Sequence, residues 1–289
     1  MTVADPILPE APAEPPAKPF LKIRPSSGFA GVDLREMWQF RDLLLALAER
    51  DVKLRYKQTA LGVVWVVLQP LLGAGIFTFV FGRVAKFDSD GVPYFLFSYA
   101  GLLGWNAFNS TLSKGSSVVV QNAQLVSKVY FPRLLLPLST VASTLVDFAV
   151  AMGLMIVLMV FNHIKPGYPL LLLPVWLLLL VMLAAGIALF TSALMVSYRD
   201  LQYVIPILLQ FLLYASPVAY SLKVVPERLR TIYMLNPLSG LLEAFRWSLL
   251  GAGHVHPGEI AYSIAMVFVI FLFGTFSFAR MEQKFADVI

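Results

Sequence analysis

The sequence predicts an all-α membrane protein: six transmembrane helices, an amino-terminal amphipathic interface helix, and a re-entrant hairpin on the outer side before the last span. Three observations carry this. Apolar residues make up 58% of the 289 residues and charged residues 13%, against about 45–50% and 25% in ordinary soluble domains. Several uncharged runs reach or exceed the ~20 residues needed to cross a hydrocarbon layer. Lys and Arg fall unevenly around those runs, 15 on one side of the membrane and 7 on the other.

Residues 1–21 are dominated by Pro, Ala and Glu and lack an apolar core, so they read as a disordered tail and not a signal peptide. Residues 22–58 form a cytoplasmic amphipathic interface region. On a helical wheel Asp42, Glu49, Arg50, Lys53 and Lys57 occupy roughly one third of the circumference. Phe40, Leu43, Leu44, Leu47, Val52 and Leu54 fill the remainder, the pattern of a helix lying in a membrane interface. Asp51 and Arg55, four apart, interrupt the apolar arc and are placed either to pair with each other or to meet a protein surface. The helix runs without a turn signal into the uncharged stretch Leu61 to Phe81. A push from outside the membrane would therefore reach the span, which is a transporter's requirement more than an enzyme's.

Residues 59–285 make the six-helix transmembrane domain, with spans at about 60–82, 94–111, 134–161, 170–195, 203–222 and 258–279. Asn106, Asn109, Ser110 and Ser113 make the end of the second span polar, and Pro206 and Pro217 interrupt the fifth. The excess of basic residues marks the inside, which places both termini in the cytoplasm. The segment Lys223 to Pro257 then lies outside. Its apolar stretch Leu238 to Leu250 is broken by Glu243 and Arg246, and about 13 helical residues reach only about 20 Å. A re-entrant or interfacial hairpin follows, with a lumen nearby if polar backbone sits at membrane depth. An outer loop carrying one amphipathic helix is the alternative.

Much chemistry is excluded. There is no cysteine, hence no disulfide, thiolate metal site or cysteine nucleophile. No GxxxxGK[ST] loop occurs, so an ATP-driven pump would need a separate ATPase subunit. HExxH and GxSxG are absent, and His254 and His256 stand alone beside Pro257, short of the four ligands of a structural zinc. No catalytic, cofactor-binding or metal residue is assigned. The net charge of +5 is concentrated near the amino end, which points to an anionic lipid surface and not to nucleic acid.

Asp147 falls near the middle of the third span on one face with Ser139 and Ser143, where an unpaired carboxylate is costly. A hydrogen-bonded structural role, gating, a subunit contact and proton relay are the readings. Relay has the least support, because no His, Lys or second acid lies in any expected span core. Stripes of aromatic and amide residues recur: Trp65 and Gln69 in the first span, Tyr99, Asn106 and Asn109 in the second, Tyr203, Gln210 and Tyr214 in the fifth. Aromatic faces and amides suit a passing glycan; interfacial anchoring and packing are the alternative. Between the second and third spans, Gln121, Asn122 and Gln124 precede the run Lys128 to Arg133. Leu125 and Val129 there would seat a short helix against a partner, unless the segment is a simple connector.

Glu49-Arg50-Asp51-Val52-Lys53-Leu54-Arg55-Tyr56-Lys57-Gln58-Thr59, continuing through Leu61-Gly62 to Gln69-Pro70-Leu71, resembles the opening signature of type-2 ABC exporter permeases. The likeness is closest to those exporting O-antigen polysaccharide, with capsule and teichoic acid permeases as relatives. Lys128-Val129-Tyr130-Phe131-Pro132-Arg133, Tyr198-Arg199-Asp200, Ser216-Pro217-Val218 and Asn236-Pro237-Leu238 resemble further blocks in the same order. The resemblance covers about residues 22–285. It implies a homodimer of six-span subunits in a bacterial inner membrane, joined to two copies of an ABC ATPase that bind ATP and Mg. It also implies export of an undecaprenyl-linked polysaccharide to the periplasm, with the outer hairpin at about 226–250. The ATPase-coupling positions it implies are Arg50, Asp51, Lys53, Arg55 and Lys57 on the interface helix, and Gln121, Asn122, Lys128 and Arg133 on the loop after the second span. A capsule, teichoic acid or small hydrophobic drug cargo is the nearest rival. An embedded enzyme acting on lipid-linked sugars, or an ion-coupled carrier using Asp147, are more distant ones.

Overall fold

A computed structural model describes residues 34–57, 62–253, 255–283 and 285. The expected tail over 1–21 lies outside the described residues. Every regular element among them is helical: α1 (Leu34–Gln39), α2 (Arg41–Lys57), α3 (Gly62–Phe77), α4 (Tyr94–Gln121), α5 (Ala123–Lys128), α6 (Leu135–Phe161), α7 (Leu173–Ser197), α8 (Leu201–Tyr214), α9 (Glu227–Leu235), α10 (Pro237–Leu250) and α11 (Pro257–Glu282). Helix α3 continues as a π-helical turn, Thr78–Val84, and a 3-10 turn, Tyr168–Leu172, leads into α7. Among the described residues, four stretches are long and apolar enough to cross a membrane: Val64–Val84, Leu135–Phe161, Tyr168–Ser197 and Pro257–Glu282. The chain is a multi-pass membrane protein.

Two helices depart from the expected spans, and both departures shape the site. Helix α4 has 28 residues and ends at Gln121, nearly three turns beyond the expected end near 111. The residues that look like an ending, Asn106, Asn109 and Ser110, instead line a cleft along its side. A polar stripe at four-residue spacing does not stop a helix when the neighbours on that side are polar. Helix α8 is shorter than expected: it has 14 residues and ends at Tyr214, before Ser216-Pro217, because Pro cannot supply the next backbone donor.

Helix α4 is the hub, packed on α3, α6, α7 and α10. Its Phe97, Tyr99 and Phe108 join Met155 of α6, Leu180 of α7 and Phe245 of α10 in the larger core. A second core gathers Leu47 of α2, Val118 of α4, Val126 of α5, Leu135 of α6 and Phe278 of α11, with Phe40, Leu43 and Leu44 against it. The apolar arc of α2 therefore packs against protein; Leu45 and Leu54 face outward instead. Helices α7 and α11 meet backbone to backbone. A Cβ on Gly274 would stand 1.9 Å from the Gly186 carbonyl oxygen, and one on Gly186 would stand 2.6 Å from the Phe271 Cα. In lipid, where apolar surface gains little from leaving the solvent, such close approach by small residues drives helix association.

The segment after α8 is held by a buried charge. Asn236 caps α10, its side chain accepting from Leu238 N at 3.1 Å, Pro237 opens the helix and Gly251, with φ of 70°, closes it, as helix-end chemistry requires. Glu243 and Arg246 do not break this helix at a surface. Both are buried, 3.6 Å apart, and the Arg246 guanidinium lies over the Phe97 ring at 4.0 Å. Arg246 donates to the carbonyls of Pro217, Val218 and Tyr220, and Glu243 accepts from Leu222 N at 3.2 Å. The pair thus caps a turn whose carbonyls have no helix to bond, a way of tolerating irregular backbone inside protein. Gly101 permits it: a Cβ there would fall 2.0 Å from the Val218 oxygen.

Candidate functional site

Asp147 has partners after all. Its Oδ1 lies 2.9 Å from Arg55 Nε and accepts from the Tyr56 hydroxyl at 2.7 Å. Its Oδ2 accepts from Lys114 Nζ at 3.0 Å, and Lys114 also donates to Ser143 Oγ at 3.0 Å. The expectation that no lysine reaches the span core is corrected here. Lys114 lies past the expected end of the second span near 111 but inside helix α4, and its four-residue spacing from Ser110 and Asn106 is the signal. Of the two readings of Asp51 and Arg55, the protein surface is what Arg55 meets, turning inward to Asp147, while Asp51 accepts from Arg50 at 2.8 Å. With 8% of Asp147 exposed, the cluster ties α2, α4 and α6 into one body.

Two cavities flank this cluster and share Arg55. One, about 110 Å³, is lined by Gln69 of α3, Asn106 and Asn109 of α4, and Asp147 and Phe148 of α6. The other, about 540 Å³, is lined by Arg50 and Asp51 of α2, Lys114, Gln121 and Asn122 at the far end of α4, and Ser143 of α6. Of the residues expected to face a glycan, the structure brings Gln69, Asn106 and Asn109 together. Tyr203 and Tyr214 are 69% and 57% exposed on α8, where Gln210 is exposed as well; Trp65 is half exposed on α3. Tyr99 is corrected: it is wholly buried and donates to the Ala151 carbonyl at 3.0 Å, because the α4 face that carries it meets α6. It packs, and it lines neither of the two cavities.

Of the expected coupling positions, one on α2 and one at the end of α4 are in contact. Arg50 donates to the Asn122 side chain at 3.1 Å, which joins α2 to the junction of α4 and α5. Gln121 is exposed and bonds Ser117 at 3.0 Å. Lys53 is exposed and pairs with Glu49, the Lys57 side chain lies outside the described residues, and Lys128 is exposed on α5. Arg133 anchors the loop to the end of α11, donating from its guanidinium to the Glu282 carbonyl at 2.8 Å and from its backbone to the Glu282 side chain at 3.0 Å. Tyr130 donates to Glu36 at 3.1 Å; desolvation and then that hydrogen bond push its phenol above the ordinary range. No group of three or more metal-ligating side chains occurs among the described residues.

The structure thus sets a polar cleft, lined by Gln69, Asn106, Asn109 and Asp147, beside helices long and apolar enough to cross a membrane. Residues 42–250 match the ABC-2 type transporter family. The chain belongs to the ABC-2 type transporter family. Among curated relatives, this ABC-2 chain is 30% identical to the O-antigen export system permease protein RfbA of Myxococcus xanthus, over 89% of its own length and 98% of the relative's. It is 27% identical to the O-antigen export system permease protein RfbA of Klebsiella pneumoniae, over 86% and 95%, and 26% identical to the polysialic acid transport protein KpsM of Escherichia coli, over 83% and 93%.

Proposed function

We propose that the chain is the transmembrane subunit of an ATP-driven exporter that moves a lipid-linked, O-antigen-type polysaccharide across the bacterial inner membrane, from cytoplasm to periplasm. The carrying observation is the 30% identity to an O-antigen export permease along nearly the whole of both chains. The likeness to a polysialic acid transport protein supports a glycan cargo over a small hydrophobic drug. Two copies would assemble, each crossing six times with both termini inside. The fourteen-residue α8 would serve as the fifth crossing, α9 and α10 as the outer re-entrant hairpin, and α2 as the interface helix. Two copies of a separate ABC ATPase would bind ATP and Mg, and an undecaprenyl anchor would stay in the bilayer.

The chain's own residues support a mechanical route. A partner pressing on exposed Lys53 and Lys128 would move α2 and α5 together, since Arg50 and Asn122 are hydrogen-bonded. That motion would reach the spans through Arg55, Tyr56 and Asp147. The exposed faces of α3 and α8 would flank the path between the two copies, with Trp65, Tyr203, Gln210 and Tyr214 toward the cargo. Flat rings bind sugar C–H faces weakly enough to let a polymer slip from one to the next.

Two measurements test this. In cells making the glycan, replacing Tyr203 and Tyr214 by Ala should slow surface display by roughly tenfold if each ring contributes on the order of an aromatic contact, about 0.5–1.5 kcal/mol. Membrane levels of the chain should hold. Unchanged display would argue that the rings only meet lipid. Lys128→Glu should weaken co-purification with the ATPase by roughly tenfold, about 1.4 kcal/mol, without changing membrane insertion. Undiminished co-purification removes α5 from the docking surface.

A further inference from the structure

The three amides that meet in the smaller cavity have no structural use in the protomer. Gln69, Asn106 and Asn109 come from two helices and line one space of about 110 Å³. Two neighbouring polar side chains are satisfied locally: Thr111 donates to the Ala107 carbonyl at 2.8 Å, and Lys114 bonds Ser143 and Asp147. None of the three amides makes a side-chain hydrogen bond to any described residue. Gln69 is exposed and Asn106 and Asn109 are half-buried, so their donors and acceptors open into the cavity and not onto protein partners, where apolar residues of the same volume would serve the fold as well. Sites that break a local rule in this way are where ligands are held.

We propose that this cavity binds one uncharged, hydroxyl-rich unit of the cargo, a single sugar ring, read by Gln69, Asn106 and Asn109. The site rests on the glycan-export reading and adds to it a contact inside each protomer, apart from Tyr203, Gln210 and Tyr214, none of which lines it. Its chemistry selects the occupant. Arg55 and Asp147 at its wall are already paired at 2.9 Å, and Lys114 holds the other carboxylate oxygen at 3.0 Å, so no unpaired carboxylate is present to hold a cation. An acyl chain would leave the amides bare. Sugar hydroxyls both donate and accept, as side-chain amides do. The Phe148 ring and Leu103 in the same wall offer apolar surface to ring C–H groups. A water needs roughly 10–15 Å³ on this measure, so the cavity has room for several waters or for one small ring displacing them. Because Arg55 also lines the larger cavity, the occupant would touch the residue that α2 moves.

The test uses the whole transporter with its ATPase in cells that make the glycan. Gln69→Met, Asn106→Leu and Asn109→Leu keep side-chain volume and remove the amides. Each should slow export roughly two- to tenfold, the value of a hydrogen bond, and the triple variant more, while the thermal midpoint in detergent stays level or rises. Normal export by the triple variant overturns the site. A lowered midpoint overturns it too, since the amides would then be structural. The chain has no cysteine, so Asn106→Cys offers a single thiol to a small charged thiol reagent in inverted membrane vesicles. Labelling that lipid-linked glycan blocks is the expected result. Labelling indifferent to glycan means that water alone fills the cavity, and no labelling means that it is closed; either overturns the proposal. A wild-type chain that exports no glycan sinks the transport reading and this site with it. A wild-type chain that exports while the variants behave as controls sinks the site alone.

Discussion

Asp147→Leu is expected to destabilise the protein by about 2–3 kcal/mol and to abolish export. The substitution leaves the Arg55 guanidinium and the Lys114 ammonium facing each other across the space that Asp147 now fills. Removing one partner of a fully buried charge pair costs about 3–5 kcal/mol. The expected figure is lower because the Arg55 side chain is 37% exposed and water screens part of the charge. Asp147→Asn should fall between: it keeps an acceptor for Tyr56 and one cation but carries no charge. Thermal midpoints of the purified protein in detergent measure the loss. The triple variant Arg55→Met, Lys114→Met, Asp147→Leu should recover most of it, since an apolar cluster of similar volume replaces an ionic one at little cost. Export should not return, because the tie between α2 and the spans is gone. A single variant that melts with wild type would show that the three charges are not joined, and the mechanical route would fail with them.

The same substitution at two glycines should act with opposite sign. Gly274→Ala places a methyl group 1.9 Å from the Gly186 carbonyl oxygen, a distance no packing adjustment of side chains relieves. Backbone must move, and α7 and α11 must part along the face where they pack. The expected cost is several kcal/mol, in the range reserved for core overpacking, seen as loss of monodisperse protein after extraction. Gly153→Ala, on α6, meets nothing within 4 Å. It should be neutral or favourable, because Ala exceeds Gly in helix propensity by about 1 kcal/mol. Comparable yields of the two variants would mean that α7 and α11 do not touch through their glycines.

Legibility in the sequence followed the kind of physics involved. The apolar runs later found as Val64–Val84, Leu135–Phe161, Tyr168–Ser197 and Pro257–Glu282 were readable because the cost of burying polar groups in lipid adds along a segment. The α10 helix was readable as the apolar stretch Leu238 to Leu250, while the cap at Asn236 and Pro237 came only with the structure. Gln69, Asn106 and Asn109 were recognised as polar positions with a purpose, though nothing local showed that they share one cavity. Tyr99 was misplaced for the same reason. Its amphipathic stripe was visible, but which stripe of α4 meets α6 is decided by how the helix is rotated in the bundle.

Hydropathy and the scarcity of charge alone settled that this is a helical membrane protein and where most of its spans begin and end. Those quantities are local, and each residue contributes its share whatever lies across the bilayer. Only the tertiary structure decided that Asp147 is held by Arg55, Tyr56 and Lys114, that Arg246 is buried over Phe97, and that α7 and α11 approach through bare backbone. Partnership depends on which side chains arrive at one depth and one azimuth. That is a property of packed helices, and no window along the chain contains it.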